Sequence, residues 1–391
     1  MTDWAGSDDD GFSIENLPFG VVRPLAEAPR VVVRIGDHAL DLAAAGIAPE
    51  LTAQPTLNVL MQSGRGREVR ERAAALLSGS ADPERLLDLT AVDVLIPVAV
   101  GDYVDFYSSI HHATNLGKIL RPGAEPLLGN WRQLPVGYHG RAGTIVVSGS
   151  DVTRPEGLVP DPALDGRPRL QSTAMLDFEL EVGFFVAGPP ATRITPDDAA
   201  GHIFGAVLLN DWSARDIQSY EYQPLGPNLA KSFATSISPW VVTLDALRPY
   251  LVDPPVQEPI PDPYLCAAQP WGLDIDLSVE LNGTTITRTS FAQMYWTFAQ
   301  QLAHTTINGA TTRAGDLFGS GTVSGPNPGE RGSMIELSWR GAEPLTLDDG
   351  GQRSFLLDGD TVTMRGRCAR AGLATIDFGD VTGTVRPTRG G

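Results

Sequence analysis

The sequence predicts a mainly β fold with some helix (α+β), in which a small N-terminal block (residues 1–95) leads into a larger β-rich block (96–391). Three observations carry this expectation. Apolar residues alternate with polar ones over short runs, the period of strands with one face buried. The 42 glycines and 31 prolines are dispersed between those runs, as many turns require, and are not gathered into a low-complexity tract. Helix starts are few, and the chain has neither a repeated βαβ pattern nor a glycine-rich phosphate loop, which disfavours nucleotide-binding folds.

In the N-terminal block, the runs Arg30–Ile35 and His38–Leu42 flank Gly36 and Asp37 and read as a hairpin with a tight turn. Arg67 to Leu77 reads as a helix with Val69, Ala73 and Leu76 on one face. No catalytic constellation occurs here, so the block is expected to be accessory. After the apolar run Val94–Val100 the composition shifts towards Gly, Pro and aromatic residues. Met175 to Val186 reads as a strand in which Phe178, Leu180 and Val182 alternate with Asp177, Glu179 and Glu181. Thr195-Pro196-Asp197-Asp198 reads as a helix start, with a threonine cap and proline at the first position. Ser290 to Gln293 resembles a capping box, and Phe291, Met294, Tyr295, Phe298 and Leu302 follow at helical spacing as a core stripe. Ser333–Trp339, Thr361–Met364 and Leu373–Phe378 read as strands between glycine-rich turns.

The formal charge of −18, with no clustered basic face, argues against a nucleic-acid partner. No window has the length and apolarity of a membrane span, and Met1–Asp10 is polar and acidic where a secretory signal would be apolar, so a soluble cytoplasmic protein without a membrane partner is expected. Cys266 and Cys368 lie too far apart for a thiolate zinc motif and supply no disulfide framework. Of the 29 basic residues only Lys118 and Lys231 are lysine, which singles these two out for a role that needs a compact ammonium.

Glu179 and Glu181 are the first chemical signal. Side chains at i and i+2 share one strand face, and two adjacent carboxylates turned inward repel unless a proton or a cation sits between them. Turned outward they would be an ordinary solvated acidic face. Gly101 to Asn115 adds Asp105, Tyr107, His111 and His112 within eight residues of a loop-like stretch. Asp211 follows the apolar strand Ala206–Leu209, a position that projects a carboxylate from a strand end, whereas Arg215 and Asp216 read as a pair on the helix that follows. Asp105, Glu179, Glu181 and Asp211 together form an all-oxygen set, which prefers a hard cation, Mg²⁺ and/or Ca²⁺, over zinc. Lys231 could moderate the excess negative charge.

Longer motifs then become recognisable. Asp-Tyr-x-Asp-Phe-Tyr-Ser-Ser (102–109), His-Ala-Thr-Asn (112–115), Leu-Pro-Val-Gly-Tyr-His-Gly-Arg (134–141), Asn-Asp-Trp-Ser-Ala-Arg-Asp (210–216), Pro-Leu-Gly-Pro (224–227), Lys-Ser-Phe (231–233), Gln-Pro-Trp (269–271), Ser-Gly-Thr-Val-Ser-Gly (320–325) and Phe-Leu-Leu-Asp-Gly-Asp (355–360) occur in the order found in the fumarylacetoacetase family, which the chain resembles from about residue 100 nearly to its end. The resemblance implies a small N-terminal SH3-like β-barrel and a larger β-roll or β-sandwich domain. It implies hydrolysis of the carbon–carbon bond of 4-fumarylacetoacetate, a small-molecule β-diketo acid, in tyrosine and phenylalanine catabolism, by a homodimer. Carried over residue by residue, it makes Asp105, Glu179, Glu181 and Asp211 metal ligands, with Lys231 and Thr235 at a second, lighter metal position. His112 becomes the catalytic base and Glu336 its orienting partner. Arg121, Gln218 and Lys231 become oxyanion stabilisers, and Tyr107, Arg121, Tyr138, Gln218, Tyr222 and Thr322 substrate contacts. The pair Ile110-His111 departs from the family's polar pair and sets a second histidine beside the base.

The carboxylate set does not separate this activity from those of isomerases, decarboxylases or acylpyruvate hydrolases of the same superfamily. The N-terminal block and the His112–Glu336 pair favour the hydrolase. A metal-free glycosidase is disfavoured because Glu179 and Glu181 on one strand cannot flank a sugar bond. A metal-stabilised binding module would need no base, and one is present.

Overall fold

The computed structural model describes residues 11–79 and 85–388. It is built of three β layers with two cores between them, mostly strand with some helix, as expected. The first layer is a curled five-stranded antiparallel sheet in the order Leu86–Asp88, His38–Asp41, Arg30–Ile35, Phe19–Pro24, Val92–Leu95. The predicted hairpin lies within it, Ile35 paired with His38 across a turn in which Gly36 takes φ +53°. The helix Gly66–Ser78 buries Val69 and Ala73 as its spacing requires.

The middle layer is a larger mixed sheet. Its main path runs Gly137–His139, Tyr103–Phe106, Leu317–Gly319, Leu180–Val186, Ile203–Asp211, Thr235–Ile237, Ile145–Val147. The third layer is a sheet in the order Thr284–Ser290, Asp276–Leu281, Thr361–Cys368, Val381–Arg386, Val152–Thr153.

Strand alternation in the middle layer assigns each face to a core. Val182, Phe184, Ala206 and Leu208 point to the third layer, where they meet Leu277, Val279 and Met364. Phe185, Val207, Leu209, Ile237 and Leu317 point the other way and share a core with Leu17, Phe19, Val21 and Val33 of the N-terminal layer. Glu181, Asp211, Asp105 and Thr235 continue this second face at one end of the sheet. The N-terminal layer therefore packs on the sheet face from which these carboxylates project.

Several expected elements differ. The Met175–Val186 run is two strands, Leu176–Asp177 and Leu180–Val186, interrupted at Glu179, which makes a single bridge to Ser333. The Thr195 start yields only a turn and the 3₁₀ segment Ala199–Gly201, because the chain must enter the buried strand at Ile203. The segment Phe291–Gln293 is a 3₁₀ turn, and the helix begins at Phe298, where Thr297 and Gln300 form the capping box. The five stripe residues are nonetheless all buried, as core residues should be. Backbone N–H groups of Tyr295 and Trp296 donate to the Ser108 carbonyl and hold the intervening residues out of a helix. Ser333–Trp339 contains the short helix Met334–Leu337, not a strand, and Leu373–Phe378 contributes only the strand Ile376–Asp377. Thr361–Met364 does open a strand. Among the described residues, no helix is long and apolar enough to cross a membrane.

Candidate active site

The middle sheet brings Glu181, Asp211 and Asp105 to one end through its registers. Leu180 pairs with Asn210, Gly183 with Gly319, Gly319 with Asp105, and Asp211 with Thr235. Glu179 joins them from the interruption preceding Leu180, where its N–H donates to Asn210 Oδ1 at 3.1 Å. All four carboxylates are buried, and one oxygen from each lies within 4.8 Å of the others. Such a cluster could hold a metal ion.

Donors reach the four unequally. Asp211 accepts from Tyr138 and Thr235 hydroxyls, each at 2.9 Å, and Lys231 Nζ lies 3.1 Å away. Glu179 is paired with Lys231 and with Arg215, whose Nη2 lies 2.8 Å away. Glu181 accepts from Gly321 N–H at 2.9 Å, but its second oxygen has no hydrogen-bond partner, nor has Asp105 Oδ1. Burial, with Asp211 adding to it, pushes Asp105 up to about 8. Burial and Asp105 push Glu181 well above the carboxylate range, and burial also raises Asp211. Burial would raise Glu179 too, but Lys231 and Arg215 outweigh it and hold it at about 2.

The residues fit a hard cation. Two buried oxygens lack a proton donor, the donor set is all oxygen, and Gly319 leaves the space open. A Cβ there would stand 2.7 Å from Asp105 Oδ1 and 2.9 Å from Glu181 Oε2.

Beside the carboxylates stands a histidine–glutamate pair. The stretch 101–115, expected to be loop-like, is instead the strand Tyr103–Phe106 and the helix Ile110–Leu120, and His112 sits in that helix's first turn. The Ser109 hydroxyl caps the helix by accepting from His112 N–H at 3.2 Å. His112 Nδ1 lies 2.6 Å from Glu336 Oε2, and its Nε2 faces Glu179 Oε1 at 4.0 Å. Glu336 also accepts from Ser324 (2.9 Å), Ser333 (2.8 Å) and Asn115 (2.9 Å). Burial opposes its ionisation, but His112 and these donors hold its pKa below the ordinary value. The Tyr107 ring meets His112 edge-on at 5.3 Å. His111, the neighbour, is only partly buried.

Sequence reasoning missed a second ion pair that ties the two groups together. Arg215 does not pair with Asp216. Its Nε contacts Asp177 Oδ2 at 2.7 Å and its Nη1 donates to Gln218 Oε1 at 3.0 Å, while Asp216 instead accepts from Ala174 N–H and the Thr173 hydroxyl. Asp177 in turn accepts from Met334 and Ile335 N–H, at the start of the helix that carries Glu336. The strand pattern around Asp177 was the one available signal, since it put a third carboxylate on the Glu179 face.

Lys231 and Thr235 both contact the carboxylate cluster. Thr322 Oγ1 is buried without a partner. Arg121 caps the helix that carries His112, with Nη2 donating to the Pro126 carbonyl at 2.8 Å. Tyr222 lies at the far end of the helix begun by Arg215, its hydroxyl accepting from Gln223 at 3.0 Å.

Known proteins match this chain over nearly its whole length. Residues 103–386 match the family model described as fumarylacetoacetate (FAA) hydrolase C-terminal, and residues 15–112 match fumarylacetoacetase N-terminal. The chain is 47% identical over 407 residues to a fumarylacetoacetase of Caenorhabditis elegans, covering 96% of each chain. It is 46% identical to that of Homo sapiens and 43% to that of Arabidopsis thaliana, in both cases over 97% of each chain. Among solved structures, a fumarylacetoacetate hydrolase from Exiguobacterium antarcticum superposes with a TM-score of 0.58 at 18% identity, covering 95% of this chain and 100% of that one. A 2-hydroxyhepta-2,4-diene-1,7-dioate isomerase from Mycobacterium marinum gives 0.53 at 16%, covering 95% and 98%. These two likenesses are of fold.

Proposed function

The chain belongs to the fumarylacetoacetate hydrolase family, and from that premise we infer that it hydrolyses the carbon–carbon bond of 4-fumarylacetoacetate to fumarate and acetoacetate, the last step of tyrosine and phenylalanine catabolism. The observation that carries the reading is the His112–Glu336 pair facing a buried carboxylate cluster, in a chain matched nearly end to end by fumarylacetoacetases.

Asp105, Glu179, Glu181 and Asp211 would hold a divalent cation, Mg²⁺ or Ca²⁺, with Lys231 and Thr235 at its flank; when bound it supplies Lewis-acid stabilisation to the β-diketone oxygens. The protein's own groups do the rest. Glu336, fixed by three donors besides His112, retains the proton on Nδ1 and so leaves Nε2 as the acceptor. His112 Nε2 removes a proton from water, whose oxygen adds to the carbonyl of the fumaryl half. Charge on the resulting oxyanion falls to Lys231, to Arg121 and to Gln218, whose Oε1 is engaged by Arg215 and whose Nε2 hydrogens remain as donors. The carbon–carbon bond then breaks with its electron pair going to the acetoacetate carbon, which takes the proton back from His112. Tyr107, Tyr138, Tyr222 and Thr322 position the substrate.

The family resemblance extends the reading to a cytoplasmic homodimer, which light scattering on the purified protein tests. Substrate choice is tested by following loss of fumarylacetoacetate absorbance beside a simple acylpyruvate. Faster turnover of the acylpyruvate, measured by kcat/KM, would favour the sister activity instead.

A further inference from the structure

One buried polar group has no part in the proposed reaction. Tyr103 is 3% exposed and its hydroxyl has no hydrogen-bond partner. Its ring belongs to the core shared with the N-terminal layer, beside residues such as Leu209 and Leu317. Two residues along the same strand and on the same face is Asp105, whose Oδ1 is likewise without a partner. Both atoms border Gly319. A Cβ added there would lie 2.7 Å from Asp105 Oδ1 and 3.2 Å from Tyr103 Oη, so the missing side chain leaves the donor and the acceptor facing one shared space. A phenol has one O–H to give, and a ring locked in a core cannot swing it elsewhere.

We propose that Tyr103 is a positioning residue of the cation site: its hydroxyl and Asp105 Oδ1 are unpaired in the cation-free protein, and with an ion bound Asp105 turns within the space they share to accept from that hydroxyl, which holds the carboxylate in the orientation that binds the ion. The proposal rests on the reading of the four carboxylates as a divalent-cation site. It also gives the N-terminal layer a role in that site, because the core that layer completes is what fixes the Tyr103 ring. The same logic holds where carboxylates and backbone groups orient the ligands of other metal sites, and loss of such a partner weakens metal affinity by about 10–100-fold.

The test is calorimetric titration of Ca²⁺ and of Mg²⁺ into EDTA-stripped parent and Tyr103→Phe proteins, with the melting temperature of each recorded before and after cation is added. The phenylalanine keeps the ring packing and removes only an unpaired buried hydroxyl, so the stripped variant should melt at or above the parent. Its affinity should fall by about tenfold or more, and the rise in melting temperature on adding cation should shrink accordingly. A stripped variant that melts lower yet binds cation like the parent would make Tyr103 a structural residue only and overturn the proposal, as would unchanged affinity at an unchanged melting temperature. If the parent itself takes up neither ion, the cation-site reading fails and this proposal with it.

Discussion

Glu336 and Glu181 are both fully buried glutamates, and the protein treats them in opposite ways. Glu336 receives hydrogen bonds on both oxygens, from Asn115, Ser324 and Ser333, and it contacts His112; its pKa is held down. Glu181 receives one backbone N–H, has one oxygen without a partner, and is pushed well up by burial and by Asp105. On the proposed reading burial is common to two different roles, and the supply of donors separates them. A carboxylate fully served by the protein is a fixed charge that orients a histidine. A carboxylate left short, among three others, is then one of four ligands of the proposed cation site.

Mutations can break this contrast. The largest effect is expected of Glu336→Gln, whose amide can hold His112 in the wrong tautomer; kcat should fall by up to about 10⁴-fold, the scale seen when a buried carboxylate that orients a catalytic histidine becomes an amide. Steady-state kinetics on fumarylacetoacetate measure it. His112→Ala should cost about 10²–10⁴-fold in kcat with cation affinity little changed, since a positioned base contributes that much. Near-full turnover in that variant would remove His112 from the proton path.

Glu181→Gln should show its main effect in binding, with Ca²⁺ or Mg²⁺ affinity lowered by at least about 100-fold, beyond the loss expected from an outer partner. The contrast sharpens in the cation-free state. At pH 8 the Glu181→Gln protein should melt above its parent, because an unserved buried carboxylate is gone, while Glu336→Gln should melt below. Equal signs for the two would contradict the distinction drawn between them.

The smallest effect is in pH dependence. Unfolded carboxylates ionise near about 4, while in the folded, cation-free protein Asp105 is held up to about 8 and Glu181 is raised as well. Between these values the folded state keeps protons that the unfolded chain has released, so stability should fall as pH rises from about 4 to 8. Glu179, depressed to about 2, works in the opposite sense at the acid end, its contribution present above the unfolded pKa and lost as pH falls towards 2. Melting curves with and without Ca²⁺ measure the slope, and added cation should flatten it.

The parts of this site that are legible in the sequence are those that local rules control. Glu179 and Glu181 share a face because a strand has period two, and Asp211 ends an apolar strand that could only be core. The N-terminal hairpin announces itself by its turn. What local pattern misjudged depends on distant partners. Arg215 and Asp216 are neighbours in the chain, yet Arg215 is claimed by Asp177, 38 positions away, because both are buried and each needs a counter-charge. The Met334–Leu337 helix is a single turn, too short for helical periodicity to show, and it forms where its first N–H groups meet Asp177. The capping box at Thr297 was hidden by an equally plausible signature at Ser290, and only the Ser108 carbonyl, claimed by Tyr295 and Trp296, decides between them. Tyr103 reads as one more aromatic in a strand, and nothing short of the fold reveals that its hydroxyl ends beside the carboxylates.

The central claim is a division of labour in which the carboxylate cluster needs a cation and the His112–Glu336 pair handles the proton. It is tested most directly by assaying loss of fumarylacetoacetate absorbance with protein stripped by EDTA, then after adding back Mg²⁺ or Ca²⁺. Turnover should be lost on stripping and restored by either or both ions in the parent, and should stay low in His112→Ala whichever ion is added. Full turnover by the stripped parent, with no residual metal by elemental analysis, would contradict it.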